Sequence, residues 1–133
     1  MMRYKKVLPM LLAGLLLFAA GHAQAGDKVV DGPVTHVVLV WLKEPGNAAM
    51  RSKFVAASRQ LNDLPGIINR HVGIVMPSER AIVDDTFDVG VTVTLKDKKA
   101  LQAYMQHPRH KKIVNEQLKP LVNRIVAYDF IGE

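Results

Sequence analysis

Residues 35–43, THVVLVWLK, limit the fold more than any other stretch of the chain. They are mostly β-branched or apolar and lie between Pro33 and the Pro45-Gly46 pair, so they read as a strand. Side chains alternate across a strand. His36, Val38, Val40 and Leu42 therefore share one face, and Val37, Leu39, Trp41 and Lys43 the other. Both faces are mostly apolar, so both need cover. At 133 residues the chain fits one domain, with helices enough for one side of a sheet. Leu39 and Trp41 on an uncovered side would form a large exposed patch. A second copy packed sheet against sheet removes that patch, so a homodimer through the open face is expected.

The other elements follow from periodicity and punctuation. After Asn47, a good N-cap, Met50, Phe54, Ala57, Leu61 and Leu64 recur at helical spacing until Pro65-Gly66 stops the run. Residues 67–76 read as a second strand and 77–80 as a turn. Residues 87–95 alternate strictly. Phe87, Val89, Val91, Val93 and Leu95 fall on one face, and Asp88, Gly90, Thr92 and Thr94 on the other. Asp97 caps a short helix that presents Leu101, Tyr104 and Met105 on one side. Pro108 opens a further helix with an apolar stripe of Ile113, Val114, Leu118 and Leu121. Residues 124–130 read as the last strand. The order β-α-β-β-α-α-β predicts an α+β, ferredoxin-like sandwich with its helices on one face of the sheet.

Residues 1–25 belong to another category. Arg3, Lys5 and Lys6 precede an apolar run over 7–20, and Ala23-Gln24-Ala25 supplies small residues at the end. This is the pattern of a secretory signal peptide, expected to be cleaved after Ala25. The run is short for a permanent membrane span. The expected product is periplasmic or secreted, with no stable span once the signal is removed. Residues 26–32 read as a flexible tail and 33–133 as the folded domain. The segment also changes the charge. The whole chain has 18 basic and 12 acidic residues, a net of +6, and half of that excess lies in residues 1–25. The remaining basic cluster of Lys96, Lys98, Lys99, Arg109, Lys111 and Lys112 has no interleaved aromatics, so no nucleic-acid partner is expected.

Several kinds of chemistry are excluded by what the chain lacks. With no cysteine there is no disulfide scaffold, thiol nucleophile or Cys-based zinc site. There is no phosphate loop, G-x-S-x-G elbow or H-E-x-x-H motif. No cofactor is expected. A pair such as His107 and His110 does not complete a metal site, so none is assigned. His36 opens the first strand, on the face of Val38 and Val40. Tyr104 points inward with Leu101, and a buried hydroxyl needs a partner. With Pro108 at the first helical position, His107 becomes the N-cap and His110 the third residue. There the helix N-terminus disfavours the imidazolium and leaves a neutral ring able to act as a base. Asp88 starts a strong strand and, if covered, needs a donor, for which a histidine is a natural choice.

Three pieces of sequence carry a resemblance to a known family: residues 36–43 (HVVLVWLK), residues 87–93 (FDVGVTV), and Tyr104-x-x-His107-Pro108-x-His110 followed by Tyr128-Asp129-Phe130. The chain resembles the stress-responsive A/B barrel (Dabb) family over nearly all of residues 33–130. The resemblance implies a dimeric α/β barrel. It also implies, through a plant polyketide cyclase of that family, a pocket at His36, Tyr104 and His110. There a histidine serves as base for an aldol step and the tyrosine holds the substrate oxygen. An export signal makes the polyketide substrate itself unsuitable here. Two readings remain. One is an exported stress-response barrel binding a small apolar or aromatic molecule near His36, Val38, Val40, Asp88, Tyr104, His107 and His110. The other is a cofactor-free lyase, cyclase or isomerase with His110 as general base and Tyr104 and His36 as polar anchors.

Overall fold

The computed structural model describes residues 31–132. The expected signal segment and most of the expected tail lie outside the described residues. The elements are β1 (Val34–Leu42), α1 (Ala48–Arg59), β2 (Ile67–Ile74), β3 (Val89–Leu95), α2 (Lys98–Gln106), α3 (Pro108–Ile113) and β4 (Val122–Ile131). A π-helical turn (Val114–Leu118) and a 3-10 turn (Lys119–Leu121) join α3 to β4. The four strands form one antiparallel sheet in the order β2-β3-β1-β4. This is the ferredoxin-like α+β arrangement that the element order predicts. No helix among the described residues is long and apolar enough to cross a membrane.

Local chemistry sets the helix starts. The Asn47 side chain accepts from the Met50 amide at 2.9 Å, and Asp97 accepts from the Ala100 amide at 2.7 Å. Each cap satisfies one of the amides that a helix start leaves unpaired. The turn into β2 needs a left-handed residue, and Gly66 provides it at φ 85°.

β1 sits in the middle of the sheet, between β3 and β4. Its even-numbered face turns toward the helices. Val40 and Leu42 are sealed there with Val89, Val93 and Leu95, against Phe54, Leu61 and Leu121. Each such side chain contributes about 1.5–3 kcal/mol on leaving water. The odd-numbered face has no helix over it. Val37, Leu39 and Trp41 pair across β1–β4 with Tyr128, Val126 and Arg124. Tyr128 and Phe130 are each more than half exposed. Trp41 lies on this open face, edge-on to Phe87 with ring centroids 6.4 Å apart. The Arg124 guanidinium stacks over its ring at 4.3 Å, and its Nε1 donates to Thr86 Oγ1 at 3.0 Å.

The alternation expected for residues 87–95 breaks at its start. Asp88 and Val89 are consecutive and both buried, while Phe87 lies over the open face beside Trp41. The cause is the Asp88 carboxylate. It turns inward and accepts from the Leu42 amide at 2.9 Å and the Gly46 amide at 2.7 Å. The backbone of Asp88 also bonds to Val40 O and Val75 N. A strand beginning at Phe87 would have placed that carboxylate on the open side.

Candidate functional site

Part of the helix-covered face is built differently. A cavity of about 230 Å³ lies between the sheet and the helices. Val38, Val91, Val93 and Ala127 form its floor, and Phe54, Leu61, Met105, Val114 and Leu118 face them from the helical side. Exposed Ile125 and Lys119 line its rim, so it reaches the surface between β4 and the 3-10 turn. Six of the lining residues carry polar groups or charge: His36, Ser58, Arg70, Tyr104, His110 and Lys119.

His36, Tyr104 and His110 are brought together by three elements. β1 delivers His36 two residues before Val38. The inward stripe of α2 delivers Tyr104, which is 3% exposed. The break at Pro108 delivers His110, because His107 caps α3 and accepts from the Arg109 amide at 3.2 Å. Tyr104 stands between the two histidines. Its ring is 4.6 Å from His110 and 6.5 Å from His36, edge-on to each.

The two histidines differ in their partners. His36 Nδ1 lies 2.5 Å from Asp129 Oδ1. A carboxylate can only accept, so Nδ1 carries the hydrogen and Nε2 is left for other partners. The Asp129 side chain is half exposed, so the pair contributes about 1 kcal/mol or less to stability. Its main effect is to fix the ring. His110 has no such partner. Burial pushes its pKa down to about 4, helped by the nearby charges of His36, Arg70 and His107. It is neutral at pH 7 and keeps one ring nitrogen as an acceptor.

Three expected site residues lie elsewhere. Val40 is fully buried in the core and does not line the cavity. Asp88 binds backbone amides at the far end of β1, not a histidine. His107 spends its Nδ1 on capping α3 and also stands outside the lining. Asp129, Arg70 and Ser58 were not among the expected residues. The carboxylate partner of His36 comes from β4, and the β1–β4 register sets His36 opposite Asp129. The Asp129 side chain was visible in the sequence only as part of the closing Tyr128-Asp129-Phe130. Arg70 sits in a strand with weak alternation, and no sequence signal marks its inward direction. Among the described residues, no three histidine, aspartate or glutamate side chains are grouped to hold a metal ion.

A ferredoxin-like sheet with one open face, and a polar-edged apolar cavity under its helices, define a small α+β barrel-type domain. The family model of the stress responsive A/B barrel domain, Dabb, matches residues 34–131, and the chain belongs to that family. A search of curated protein sequences finds no match. Solved structures share the fold at low identity. A Dabb family protein from Mesorhizobium loti is similar with a TM-score of 0.63 and 21% identity, over 77% of this chain and 98% of that one. A dimeric ferredoxin-like protein of unknown function from Thermobifida fusca gives 0.62 and 20%, over 76% and 92%. Hydroxynitrile lyase from Passiflora edulis gives 0.65 and 17%, over 77% and 94%.

Proposed function

We propose that this chain is an exported stress-response barrel protein that forms homodimers through its open sheet face. In this reading it holds a small apolar or aromatic molecule between His36, Tyr104 and His110. The observation that carries the reading is the convergence of these three side chains on one apolar cavity that opens at the surface. Apolar walls supply affinity, and a few placed polar groups supply orientation. Dimer formation rests on the uncovered apolar residues of β1 and β4 and on the dimeric Thermobifida fusca neighbour. Export rests on the pattern of residues 1–25. Native mass spectrometry of gently purified protein is expected to show a retained small molecule or uptake of added aromatic probes. Absence of both retention and uptake would refute the binding reading. Light scattering should give twice the chain mass, and Leu39→Asp should give a monomer. Intact mass of exported material should begin at Gly26.

A second reading, turnover without a cofactor, is favoured by the pairing of a neutral His110 with a His36 aligned by Asp129. The chemistry would be that of a lyase, cyclase or isomerase, with His110 as the general base. The solved hydroxynitrile lyase supports lyase chemistry on this fold. A conjugate acid with a pKa near 4 makes His110 a weak base. His36, held by Asp129, is the competing base. Cleavage of mandelonitrile by the wild type, lost in His110→Ala but kept in His36→Ala, would support His110. The opposite pattern would assign His36, and no cleavage by the wild type would remove the lyase form.

A further inference from the structure

We infer that the cavity selects an organic carboxylate, an apolar body bearing one anionic group, with Arg70 as the anion-recognising side chain and Lys119 at the rim. The inference deepens the small-molecule reading above and rests on it. Its basis is the charge inventory of the lining. Arg70 and Lys119 are permanent cations, and no aspartate or glutamate lines the cavity. Asp129, the acid that touches the lining residue His36, is already engaged with it and is half exposed.

The way Arg70 is held points the same way. Its Nη2 donates to Ser58 Oγ at 2.8 Å, and its Nη1 donates to Asn62 Oδ1 at 2.8 Å. Ser58 and Asn62 stand four residues apart on α1 and the turn that follows it, so one surface grips the guanidinium from one side. Ser58 is 1% exposed, an unusual place for a hydroxyl unless it has a polar task. Both partners are neutral. The two ion pairs among the described residues do not include Arg70. Its Nε is sealed and has no hydrogen-bond partner. A guanidinium has five donor hydrogens in a rigid fork that fits a carboxylate. Two donations to neutral oxygens position the fork without cancelling its charge.

A partly buried charge with no counter-ion is costly. The cost falls when a ligand carboxylate supplies the missing charge. His110 senses the same field, because Arg70 is among the charges that hold its ring neutral. A neutral His110 and the Tyr104 hydroxyl can then hydrogen-bond an anion or its neighbouring oxygen, while Val91, Val93 and Phe54 take the apolar body. An ordinary core would have paired Arg70 with an acid or replaced it with a leucine.

The test compares two probes of the same shape, phenylacetate and phenylacetamide, by calorimetry on the full chain at pH 7 and low salt. The acid is expected to bind roughly tenfold more tightly or better, as charge-assisted hydrogen bonds imply. In Arg70→Met that preference should vanish while the amide still binds. Arg70→Lys keeps the charge with little change in volume, and should retain part of the preference if Arg70→Met fails to fold. Lys119→Met should reduce the preference only slightly, because its side chain is exposed. Equal affinities in the wild type, or an unchanged preference in both Arg70 variants, would overturn the inference and leave the cavity reading standing. If neither probe nor a neutral aromatic such as toluene binds, the cavity reading falls and the carboxylate inference falls with it.

Discussion

The two ends of β1 use the same kinds of residue to opposite effect. At the Leu42 end, Asp88 is 4% exposed and accepts two backbone amides, while Val40 and Leu42 are fully sealed. The buried carboxylate there is matched by backbone amides of the chain itself. At the His36 end, the polar groups surround a space. His36 is fixed by Asp129 through one nitrogen and keeps the other. Arg70 is held by neutral partners, and His110 is desolvated without a carboxylate. A saturated polar cluster stabilises a fold, whereas a cluster with spare capacity is suited to recognition. The comparison also separates two aspartates that look alike in sequence. Asp88 closes a loop, and Asp129 orients a ring.

The difference can be broken most forcefully at the sealed end. Asp88→Ala removes the acceptor of two amides and should cost about 3 kcal/mol in urea unfolding, with ligand uptake per folded molecule unchanged. If uptake falls while stability holds, the two ends have been assigned the wrong way round. The next effect is one of pH. The folded state holds His110 near 4, whereas an unfolded histidine titrates near 6.5. The unfolded chain therefore takes up the proton first. Stability should decline as pH falls from 6.5 towards 4, by about 2 kcal/mol, and this portion should be absent in His110→Gln. An identical pH dependence in the variant would show that other groups carry it.

Smaller effects sharpen the contrast at the cavity itself. Ala127→Leu places extra carbons in the space from β4. It should weaken uptake of an aromatic probe roughly tenfold and change stability by about 1 kcal/mol or less, since it fills a void instead of crowding a packed core. Unaltered uptake would move the binding site elsewhere. Asp129→Asn should be the mildest change, below about 1 kcal/mol, because the carboxylate is half exposed. Its signature is spectroscopic: the His36 Nδ1 proton resonance should shift and broaden while the fold signals stay in place. A loss of several kcal/mol instead would make Asp129 a structural residue like Asp88.

Much of the fold could be read from particular residues. THVVLVWLK announces a central strand, Asn47 and Asp97 mark two helix starts, and Pro108 sets His107 as a cap three residues before His110. These are local signals, because caps, turns and alternation act over a few residues. Tyr104 was legible for the same reason, as part of a helical stripe. For Asp88, alternation gives only the face opposite Val89 and a histidine as the natural donor; the position of the Leu42 and Gly46 amides is what turns it inward and pairs it with backbone. Val40 was placed at the pocket because it shares a face with His36, but a face does not say where along the strand packing is complete.

What the sequence determined by itself is the set of elements, their order, and the need to cover both sides of β1. Those follow from backbone geometry and the aversion of apolar groups to water. The tertiary structure decided which polar groups meet. His36 and Asp129 are 93 residues apart and touch because β1 and β4 pair in one register. Arg70 faces Ser58 because β2 lies under α1. The cavity exists where side chains of β1, β3 and β4 face those of α1, α2 and the π-helical turn without filling the space between them. Such juxtapositions depend on register and packing across the whole domain, and no window of sequence contains them.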